Sequence, residues 1–454
     1  MNIKTKSIIT LCLTALASMP LSAQSYFGSV VDIDGTYTTA KNIKVEANQV
    51  VFTDHKDATH TIASNHGYST PVKVIHDVLY CENDETMNSE LVNKAVKTGQ
   101  LTLSGTLNNH NWSLLNEGKL NGITSAHFHN VIGDEAFTAL SNLKCSSLSY
   151  VTFEDCSFPN VTSLERLLYG SAITSFTWGG MNVSGNLNTL SYMFHDCQSL
   201  QSVSLKGLNT NNVTSLYNLF YNCKNLSNID LSGCDFISVT DCDNMFYNCD
   251  KLQAIDLSGL KLQNVETTNY MFRGCDILTS INFTDCDFSK VTSSTEMFQN
   301  CPRLQTVDLS GAKLSSNNCE GMFKYCNDLN SVTLSNCNFE GVTNCREMFR
   351  GCTSLKEIDL SGCKFIPADG ADLYYMFVDC SSLETVDFSG CDLSKLTNNH
   401  EYLFYINCKA LKTIRAVGCN DATITKLQEA INRSDNPSGV AIVTSDTPSE
   451  ATAE

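Results

Sequence analysis

The sequence has little positive charge and no long apolar run after its first 23 residues. Its 30 Lys and Arg are outnumbered by 48 Asp and Glu, which gives a formal net charge of −18. An acidic chain of this kind is a poor match for nucleic acid or an anionic membrane surface. Without a later apolar run of about 20 residues, we also expect no membrane insertion.

The sequence lacks the common motifs of catalysis and cofactor binding. It has no Gly-x-Ser-x-Gly elbow, phosphate loop or dinucleotide fingerprint. We therefore predict no catalytic residues, no cofactor and no metal site. Four histidines, His55, His60, His66 and His76, lie close together in the N-terminal region, without paired cysteines or a His-Glu-x-x-His helix. Surface histidines are the simpler interpretation and a metal site is the alternative; an enzyme would need a cleft, most plausibly within residues 24–100.

The first 23 residues have the features of an export signal. Lys4 and Lys6 precede an apolar run over residues 8–17, and small residues follow up to Ala23. Cleavage would remove the two lysines and change the net charge from −18 to −20. We predict an exported protein that is secreted, periplasmic or displayed at the cell surface.

A repeat of about 26 residues occupies most of the chain. It is measured from a Met-Phe or Leu-Phe pair, and the successive steps are 26, 26, 26, 26, 25, 26, 28 and 27 residues. The first residues of these pairs are Met193, Leu219, Met245, Met271, Met297, Met322, Met348, Met376 and Leu403. A fixed period of this length is typical of a solenoid built from stacked coils.

Each repeat also contains the pattern Leu-x-x-Val/Ile-x-Leu. In one copy these residues are Leu226, Ile229 and Leu231. The alternation predicts a short strand with one face directed inward. Roughly five buried side chains at about 2 kcal/mol each do not offset ordering some 26 residues at about 1 kcal/mol apiece. A single coil is therefore unstable, and stacking of coils supplies the remaining stability.

The segment after the strand returns the chain across the convex side. Thr214 lies where a helix would have its cap, and the residue before the repeat's cysteine is mostly Asn, Asp or Gly, which tolerate left-handed backbone angles. Those residues are Asp196, Asn222, Asn248, Gly274, Asn300, Tyr325, Gly351, Asp379 and Asn407. The sequence thus predicts one parallel strand per coil and short helical or 3-10 turns on the convex side.

The domain organisation follows from where the repeat begins and ends. We predict a signal peptide (1–23), a small β-rich N-terminal region or cap (24–100), a solenoid (101–419), a capping helix and strand (420–443) and a disordered tail (444–454). In the N-terminal region we expect strands at 30–33, 43–45 and 50–52 and a helical turn at 89–96. At the C-terminal end, residues 421–431 form an amphipathic helical pattern and 439–443 a strand.

The repeat resembles that of the BspA-like leucine-rich-repeat surface proteins of bacteria. The resemblance rests on the Leu-x-x-Val/Ile-x-Leu core with Met-Phe-x-x-Cys, and covers roughly residues 136–419 in nine in-register copies. It implies a non-enzymatic solenoid, secreted or displayed on the surface, that adheres to a host or bacterial surface protein or glycan. It transfers no binding residue to a position in this chain.

The cysteines form columns along the repeat. Of 22 in the sequence, 21 remain after signal cleavage, so at least one is unpaired or intermolecular. One column is Cys197, Cys223, Cys249, Cys275, Cys301, Cys326, Cys352 and Cys380; the other is Cys234, Cys286, Cys337, Cys363, Cys391 and Cys419. Leu208, Leu260 and Ala312 replace cysteine in the second column, which favours buried thiols. Export of the protein, by contrast, would favour disulfides between these cysteines. A third alternative is that the cysteine columns bind metal ions.

The outward residue of each strand forms a polar column. The candidate binding residues are Asp230, Asp256, Asn282, Asp308, Asp359 and Asp387. Aspartates at ~4.8 Å spacing on one sheet face repel one another. One hypothesis is an acidic strip that binds a basic partner surface or a cation; the other is a solvated face without a ligand. If the strip binds a partner, the protein is an adhesion scaffold that acts through the sheet face. If the face is only solvated, the protein is a structural component of the cell envelope without a specific ligand.

Overall fold

The computed structural model describes most residues between 26 and 445. The described residues are 26–33, 36–46, 49–54, 57–63, 73–81, 89–95, 97, 99–116, 120, 122–133, 145–183, 185–310, 312, 314–335, 337–397, 399–433, 435 and 439–445. The predicted signal peptide, His55, His66 and most of the predicted tail lie outside them. The chain divides into two units, Met1–Leu187 and Asn188–Glu454, each described by itself below.

The first unit contains eleven strands and two helices within its described part. The strands are β1 (Tyr26–Ile33), β2 (Thr36–Glu46), β3 (Gln49–Thr53), β4 (Thr59–Ala63), β5 (Lys73–Cys81), β6 (Gln100–Leu107), β7 (Ser125–Gly133), β8 (Tyr150–Glu154), β9 (Cys156–Phe158), β10 (Ser175–Thr177) and β11 (Met181–Val183). The helices are α1 (Ser89–Ala95) and α2 (Asn109–Asn116). β1, β2, β3 and α1 confirm the three strands and the helical turn that the sequence predicts, whereas β4 and β5 were not predicted.

The sheet of the first unit changes from antiparallel to parallel. Its strand order is β4, β3, β2, β1, β5, β6, β7, β9 and β11, and β8 pairs with β7. The pairs from β4 to β5 are antiparallel. The pairs β5–β6, β6–β7 and β7–β8 are parallel, with Leu103 opposite Phe128 and Phe128 opposite Phe153. Phe128 stacks on Phe153 at a centroid distance of 4.7 Å, so this register is fixed by the core.

The second unit begins with nine short parallel strands, one in each coil. They are β12 (Ser202–Ser204), β13 (Asn228–Asp230), β14 (Ala254–Asp256), β15 (Ser280–Asn282), β16 (Thr306–Asp308), β17 (Ser331–Thr333), β18 (Glu357–Asp359), β19 (Thr385–Asp387) and β20 (Thr413–Arg415). The central residue of each strand points inward, and Ile255 lies opposite Ile281 as the repeat predicts. Strand pairing is interrupted between β13 and β14, β15 and β16, and β17 and β18.

The return segment is a series of turns that hydrogen-bond from coil to coil. Every second amide donates to the next coil: Tyr192 N to Tyr217 O (3.0 Å), Phe194 N to Leu219 O (3.0 Å) and Asp196 N to Tyr221 O (2.8 Å). The amides between them bond within the coil, three residues back, as in His195 N to Tyr192 O at 3.1 Å. These turns replace the helix that Thr214 would have capped; in the described part of the unit, a 3-10 helix occurs only at His400–Tyr402.

Left-handed residues make this turn ladder possible. All nine predicted positions before the repeat's cysteine have positive φ, from 53° at Asn248 to 76° at Gly351. A second left-handed position lies four residues earlier, occupied in eight coils by Tyr192, Asn218, Asn244, Tyr270, Glu296, Gly321, Glu347 and Tyr375. The left-handed residues interrupt the helical backbone every four residues, and a continuous right-handed helix could not direct these amides to the neighbouring coil.

Beneath the turns, the phenylalanines of the Met-Phe pairs stack through the unit. Their rings lie 5.2–5.7 Å apart, with interplanar angles of 2–13°. The stack consists of Phe194, Phe220, Phe246, Phe272, Phe298, Phe323, Phe349, Phe377 and Phe404, all of them buried. Because each ring between the two ends of the stack contacts rings of two neighbouring coils, burial of the core couples the coils together.

The C-terminal end contains the predicted helix and strand. α3 (Asp421–Arg433) buries Thr423, Leu427 and Ala430, and β21 (Ala441–Val443) pairs in parallel with β20. None of the helices among the described residues is long and apolar enough to cross a membrane.

Candidate functional site

The predicted binding residues lie on the outer face of the short strands, here called the strand face and defined as the first and third residues of β12–β20. Asp230, Asp256, Asn282, Asp308 and Asp359 are exposed. Asp387 is half-buried because Arg415 Nε lies 2.9 Å from its carboxylate. The strand face carries no aromatic side chain, and most of its residues are small and polar. The period-2 pattern therefore predicted the direction of these side chains correctly.

Each of the six side chains also supports the turn that follows its strand. One side-chain oxygen accepts a hydrogen bond from the amide two residues later, at 2.8–3.0 Å in all six cases. The donors are Ser232, Ser258, Thr284, Ser310, Ser361 and Ser389. This Asx-turn explains why Asp or Asn recurs at these positions without a ligand. The sequence pattern Asp-x-Ser was the signal for it.

The same hydrogen bonds favour the ionised form of three of the aspartates, Asp230, Asp256 and Asp387. The Ser232 hydroxyl and amide lower the pKa of Asp230, and Ser258 lowers the pKa of Asp256 in the same way. Burial raises the pKa of Asp387, but hydrogen bonds from Ser389 and Arg415 outweigh it and the net shift is downward. The hydrogen bonds thus stabilise the charged form of Asp230, Asp256 and Asp387.

Neighbouring strands relieve most of the expected repulsion within the column. Ser204 donates to Asp230 at 3.1 Å, Asp256 lies opposite Asn282, and Asp308 lies opposite Thr333. Among the predicted residues, the described strand pairs place only Asp359 directly opposite another aspartate, Asp387. The acidic column is therefore interrupted by neutral partners.

A depression of about 490 Å³ lies over β14 and β15 and brings two predicted residues together. It is lined by Ala254, Ile255, Asp256, Ser280, Ile281 and Asn282. The pairing of this two-stranded sheet stops on both sides, at β13 and at β16. A carboxylate and an amide thus share one recess that has an apolar floor, an arrangement suited to a polar ligand group.

The outer side of the turn ladder, here called the turn face, consists of the outward side chains of the return segments and was not predicted. Ten of the sixteen tyrosines belong to these segments: Tyr192, Tyr217, Tyr221, Tyr247, Tyr270, Tyr325, Tyr374, Tyr375, Tyr402 and Tyr405. His195, Tyr221 and Tyr247 stack at 4.6 Å spacings. The sequence signal was partial: two positions after the first residue of the Met-Phe or Leu-Phe pair, four of the nine repeats have His195, Tyr221, Tyr247 or Tyr405.

Charged side chains of the turn face form ion pairs between coils. Glu347, only 7% exposed, accepts hydrogen bonds from Lys324 and from Arg350. Arg273 pairs with Glu296 and lies over the rings of Tyr247 and Tyr270 at 5.7 and 5.6 Å. Because these charges are paired and half-buried, the turn face has a structural role in joining the coils.

Twenty cysteines have described side chains, and none of these is in a disulfide. Eight of them share one hydrogen bond: Cys408 and the seven members of the first column from Cys223 to Cys380 donate to the phenylalanine carbonyl of the preceding coil at 2.8–3.3 Å. Nineteen of these twenty cysteines are buried and Cys419 is half-buried. Burial raises the pKa of Cys286 and Cys337 to about 12, which keeps these thiols protonated and unreactive.

The N-terminal histidines were the other candidate site. His60 Nε2 lies 2.9 Å from Asp54 Oδ2 and its ring stacks on Phe52 at 5.0 Å. His76 lies in β5. Across the part of the chain that the structure describes, no three His, Cys, Asp or Glu side chains are grouped to hold a metal ion.

Coils with one short parallel strand, inward Leu and Val or Ile residues, and a return segment of turns define a leucine-rich-repeat solenoid. The chain belongs to the family described as "Mycoplasma protein of unknown function, DUF285", whose profile matches residues 188–311 and 313–416, half of the chain. The family match and the observed coils confirm the resemblance to BspA-like leucine-rich-repeat proteins. A comparison with curated proteins gives no match.

Solved structures that are similar to this chain have low sequence identity. A leucine-rich cell surface protein from Faecalibacterium prausnitzii is 15% identical, with 85% of this chain and 97% of that chain covered and a TM-score of 0.23. A leucine-rich-repeat protein of Leptospira interrogans is 11% identical, with coverages of 78% and 92% and a TM-score of 0.24. The TLR13–ssRNA13 complex is 14% identical, with coverages of 75% and 53% and a TM-score of 0.20.

Proposed function

We propose that this protein is an exported, surface-displayed adhesion scaffold that binds a host or bacterial surface protein or glycan through its strand face. The binding residues in this proposal are Asp230, Asp256, Asn282, Asp308, Asp359 and Asp387. The partner presents basic or hydrogen-bond-donating groups, since the strand face presents carboxylates on small, polar surroundings and carries no aromatic side chain.

The depression over β14 and β15 is the observation that carries this proposal. It places Asp256 and Asn282 in one recess at a point where strand pairing is interrupted. Their side chains are held by Ser258 and Thr284, so little conformational entropy is lost when a ligand binds. The turn face, by contrast, uses its charged groups in pairs between coils.

The test is a binding screen of the full mature chain against immobilised matrix proteins and glycans. For any partner found, a triple variant with Asp230→Asn, Asp256→Asn and Asp308→Asn is compared with the unaltered chain. Asn keeps the oxygen that accepts the Asx-turn bond, so folding is retained while three charges are removed. We expect weaker binding and a smaller salt dependence, because charge complementarity acts through steering.

A matched control removes three exposed carboxylates elsewhere: Glu266→Gln, Asp276→Asn and Glu340→Gln. Equal weakening by both triple variants shows a net-charge effect and contradicts the strand-face site. A chain that assembles on cell envelopes without saturable affinity for any partner supports the structural envelope component instead.

A further inference from the structure

Two tyrosines of the turn face, Tyr192 and Tyr217, are paired across neighbouring coils. The amide of Tyr192 donates to the carbonyl of Tyr217 at 3.0 Å, as part of the turn ladder. Their ring centroids lie 5.3 Å apart, with an interplanar angle of 70°. The two phenol hydroxyls also hydrogen-bond to each other. The backbone bond and the hydroxyl bond therefore hold the two rings in one crossed arrangement.

The turn ladder does not need tyrosine at these two positions. The same backbone bond, at 2.7–3.1 Å, joins six further pairs of residues in the following coils, and none of these pairs consists of two tyrosines. They are Asn218 with Asp243, Asn244 with Asn269, Tyr270 with Thr295, Glu296 with Glu320, Gly321 with Arg346, and Glu347 with Tyr374. The structural demand of the coil thus leaves the two phenols of Tyr192 and Tyr217 unexplained.

Crossed rings with adjoining hydroxyls have the arrangement of a coupled phenol pair. In dityrosine, one C–C bond joins the carbons ortho to the two hydroxyls, which places the hydroxyls side by side and the ring planes at an angle. Tyr192 and Tyr217 have both features before any bond is formed. A pair held in this way couples as an intramolecular step with little reorganisation.

We propose that Tyr192 and Tyr217 form a dityrosine cross-link when the chain meets a haem peroxidase and hydrogen peroxide. Each phenol loses one electron and its hydroxyl proton, and the two phenoxyl radicals join through their ortho carbons. Each ortho hydrogen then leaves as a proton while the ring oxygen is reprotonated. In the balance, the two phenols lose two hydrogen atoms, and hydrogen peroxide takes these up and becomes two molecules of water. This site does not depend on the proposed function.

The surroundings leave the two phenols open to oxidation and protect the neighbouring thiols. Tyr192 and Tyr217 are half-buried, whereas Cys197 and Cys223 of the same coils are fully buried. Burial also raises the pKa of the Cys223 thiol well above its ordinary value. Because the thiolate is the form that peroxide attacks, these thiols react slowly and the oxidant is left for the tyrosines.

A second tyrosine pair in the same part of the unit provides an internal comparison. Tyr221 and Tyr247 lie closer together, at 4.6 Å, but their rings are parallel to within 9°. Their faces meet, and not the edges that carry the ortho carbons. His195 stacks on the other face of Tyr221 at 4.6 Å and hinders rotation of its ring. If orientation controls coupling, the crossed pair forms the link; if distance controls it, the stacked pair does.

The test treats the full native chain, at low concentration, with a haem peroxidase and hydrogen peroxide, followed by trypsin digestion and mass spectrometry. A link between Tyr192 and Tyr217 joins peptide 167–206 to peptide 207–224, and a link between Tyr221 and Tyr247 joins 207–224 to 225–251. We expect the first linked peptide, with the mass of its two parts less two hydrogen atoms, and dityrosine fluorescence in the monomer.

Tyr192→Phe and Tyr217→Phe should each abolish the first linked peptide, because phenylalanine keeps the ring but has no phenol to oxidise. Tyr221→Phe, and Tyr150→Phe at a tyrosine of the first unit that is 52% exposed, should leave it unchanged. The proposal is overturned if the first linked peptide is absent or persists in Tyr192→Phe. A dominant Tyr221–Tyr247 link, or dityrosine found only between chains, overturns it as well.

Discussion

The strand face and the turn face of the second unit hold the coils together in different ways. Strand pairing extends over three residues per coil and is interrupted three times between β12 and β20. In the turn ladder, amides such as those of Tyr192, Phe194 and Asp196 bond to the next coil. Stacked phenylalanines, thiols and ion pairs lie on the same side. The stability of the stack therefore comes mainly from the turn side, and the strand face is available for binding.

The largest expected effect is the difference in thiol reactivity between the native and the denatured chain. At pH 8 the native chain should react with a thiol reagent hardly at all, because burial raises the pKa of thiols such as Cys286 to about 12 and blocks access. Among the thiols that the structure describes, half-buried Cys419 should react first. In denaturant without reductant most of the 21 mature cysteines should react. A denatured chain in which fewer than about half react contains disulfides and contradicts the buried-thiol account.

The next largest effect is expected from the aromatic stack. Phe298→Ala removes a ring that packs against Phe272 and Phe323 and should lower the free energy of unfolding by about 3–5 kcal/mol. Thr306→Ala on the strand face, an exposed position, should change it by less than about 0.5 kcal/mol. Urea unfolding followed by circular dichroism measures both. Similar losses at the two positions would contradict the difference between the faces.

Removing an ion pair of the turn face should lower the free energy of unfolding by less than removing a stacked ring. Glu347→Gln leaves Lys324 and Arg350 without their buried partner and should cost about 1–3 kcal/mol. Burial raises the pKa of Glu347, but Lys324 and Arg350 outweigh it and the net shift is downward. Its stabilising effect is thus present at neutral pH and lost as the pH falls through the folded-state pKa. Glu384→Gln, which breaks the exposed pair with Lys412, is the control and should leave the urea midpoint unchanged.

The smallest change in the free energy of unfolding is expected when an Asx-turn of the strand face is altered. Asp256→Ala removes the oxygen that accepts the Ser258 amide and should cost about 0.5–1 kcal/mol, whereas Asp256→Asn retains an acceptor and should cost less. Hydrogen bonds from Ser258 lower the pKa of Asp256, so its contribution is present above its unfolded pKa of about 4 and is lost as the pH falls through the folded value. Asp256→Asn removes this acid dependence. Equal stability of the Ala and Asn variants at pH 7 would show that the turn does not need the acceptor.

The sequence predicted those parts of the fold that depend on residue type at a fixed spacing. Period-2 apolar residues such as Ile229 and Leu231 located the strands. The left-handed position before each cysteine was predicted because Asn, Asp and Gly predominate there. The second left-handed position was not, since Tyr192 and Glu296 have no intrinsic preference for positive φ. The neighbouring coils impose that conformation through inter-coil hydrogen bonds.

The candidate site was predicted less completely than the fold. The period-2 spacing predicted that the side chain of Asp256 and those of its neighbours in the column point outward. It did not predict that each side chain accepts a hydrogen bond from the turn that follows its own strand. The recess formed with Asn282 depends on where strand pairing stops, which no single repeat shows. This arrangement leaves no signal in the period of the sequence.

Native-state hydrogen exchange of the full chain tests most directly whether the turn side stabilises the stack. The relevant turn-ladder amides are those of Phe246, Phe272 and Phe298, each bonded to the next coil at 2.8–2.9 Å. On the strand side the comparison is with peptides that cover β14 and β15. We predict that the turn-ladder amides exchange more slowly than the strand amides of the same coils. Slower exchange in the strands than in the turns would contradict the account.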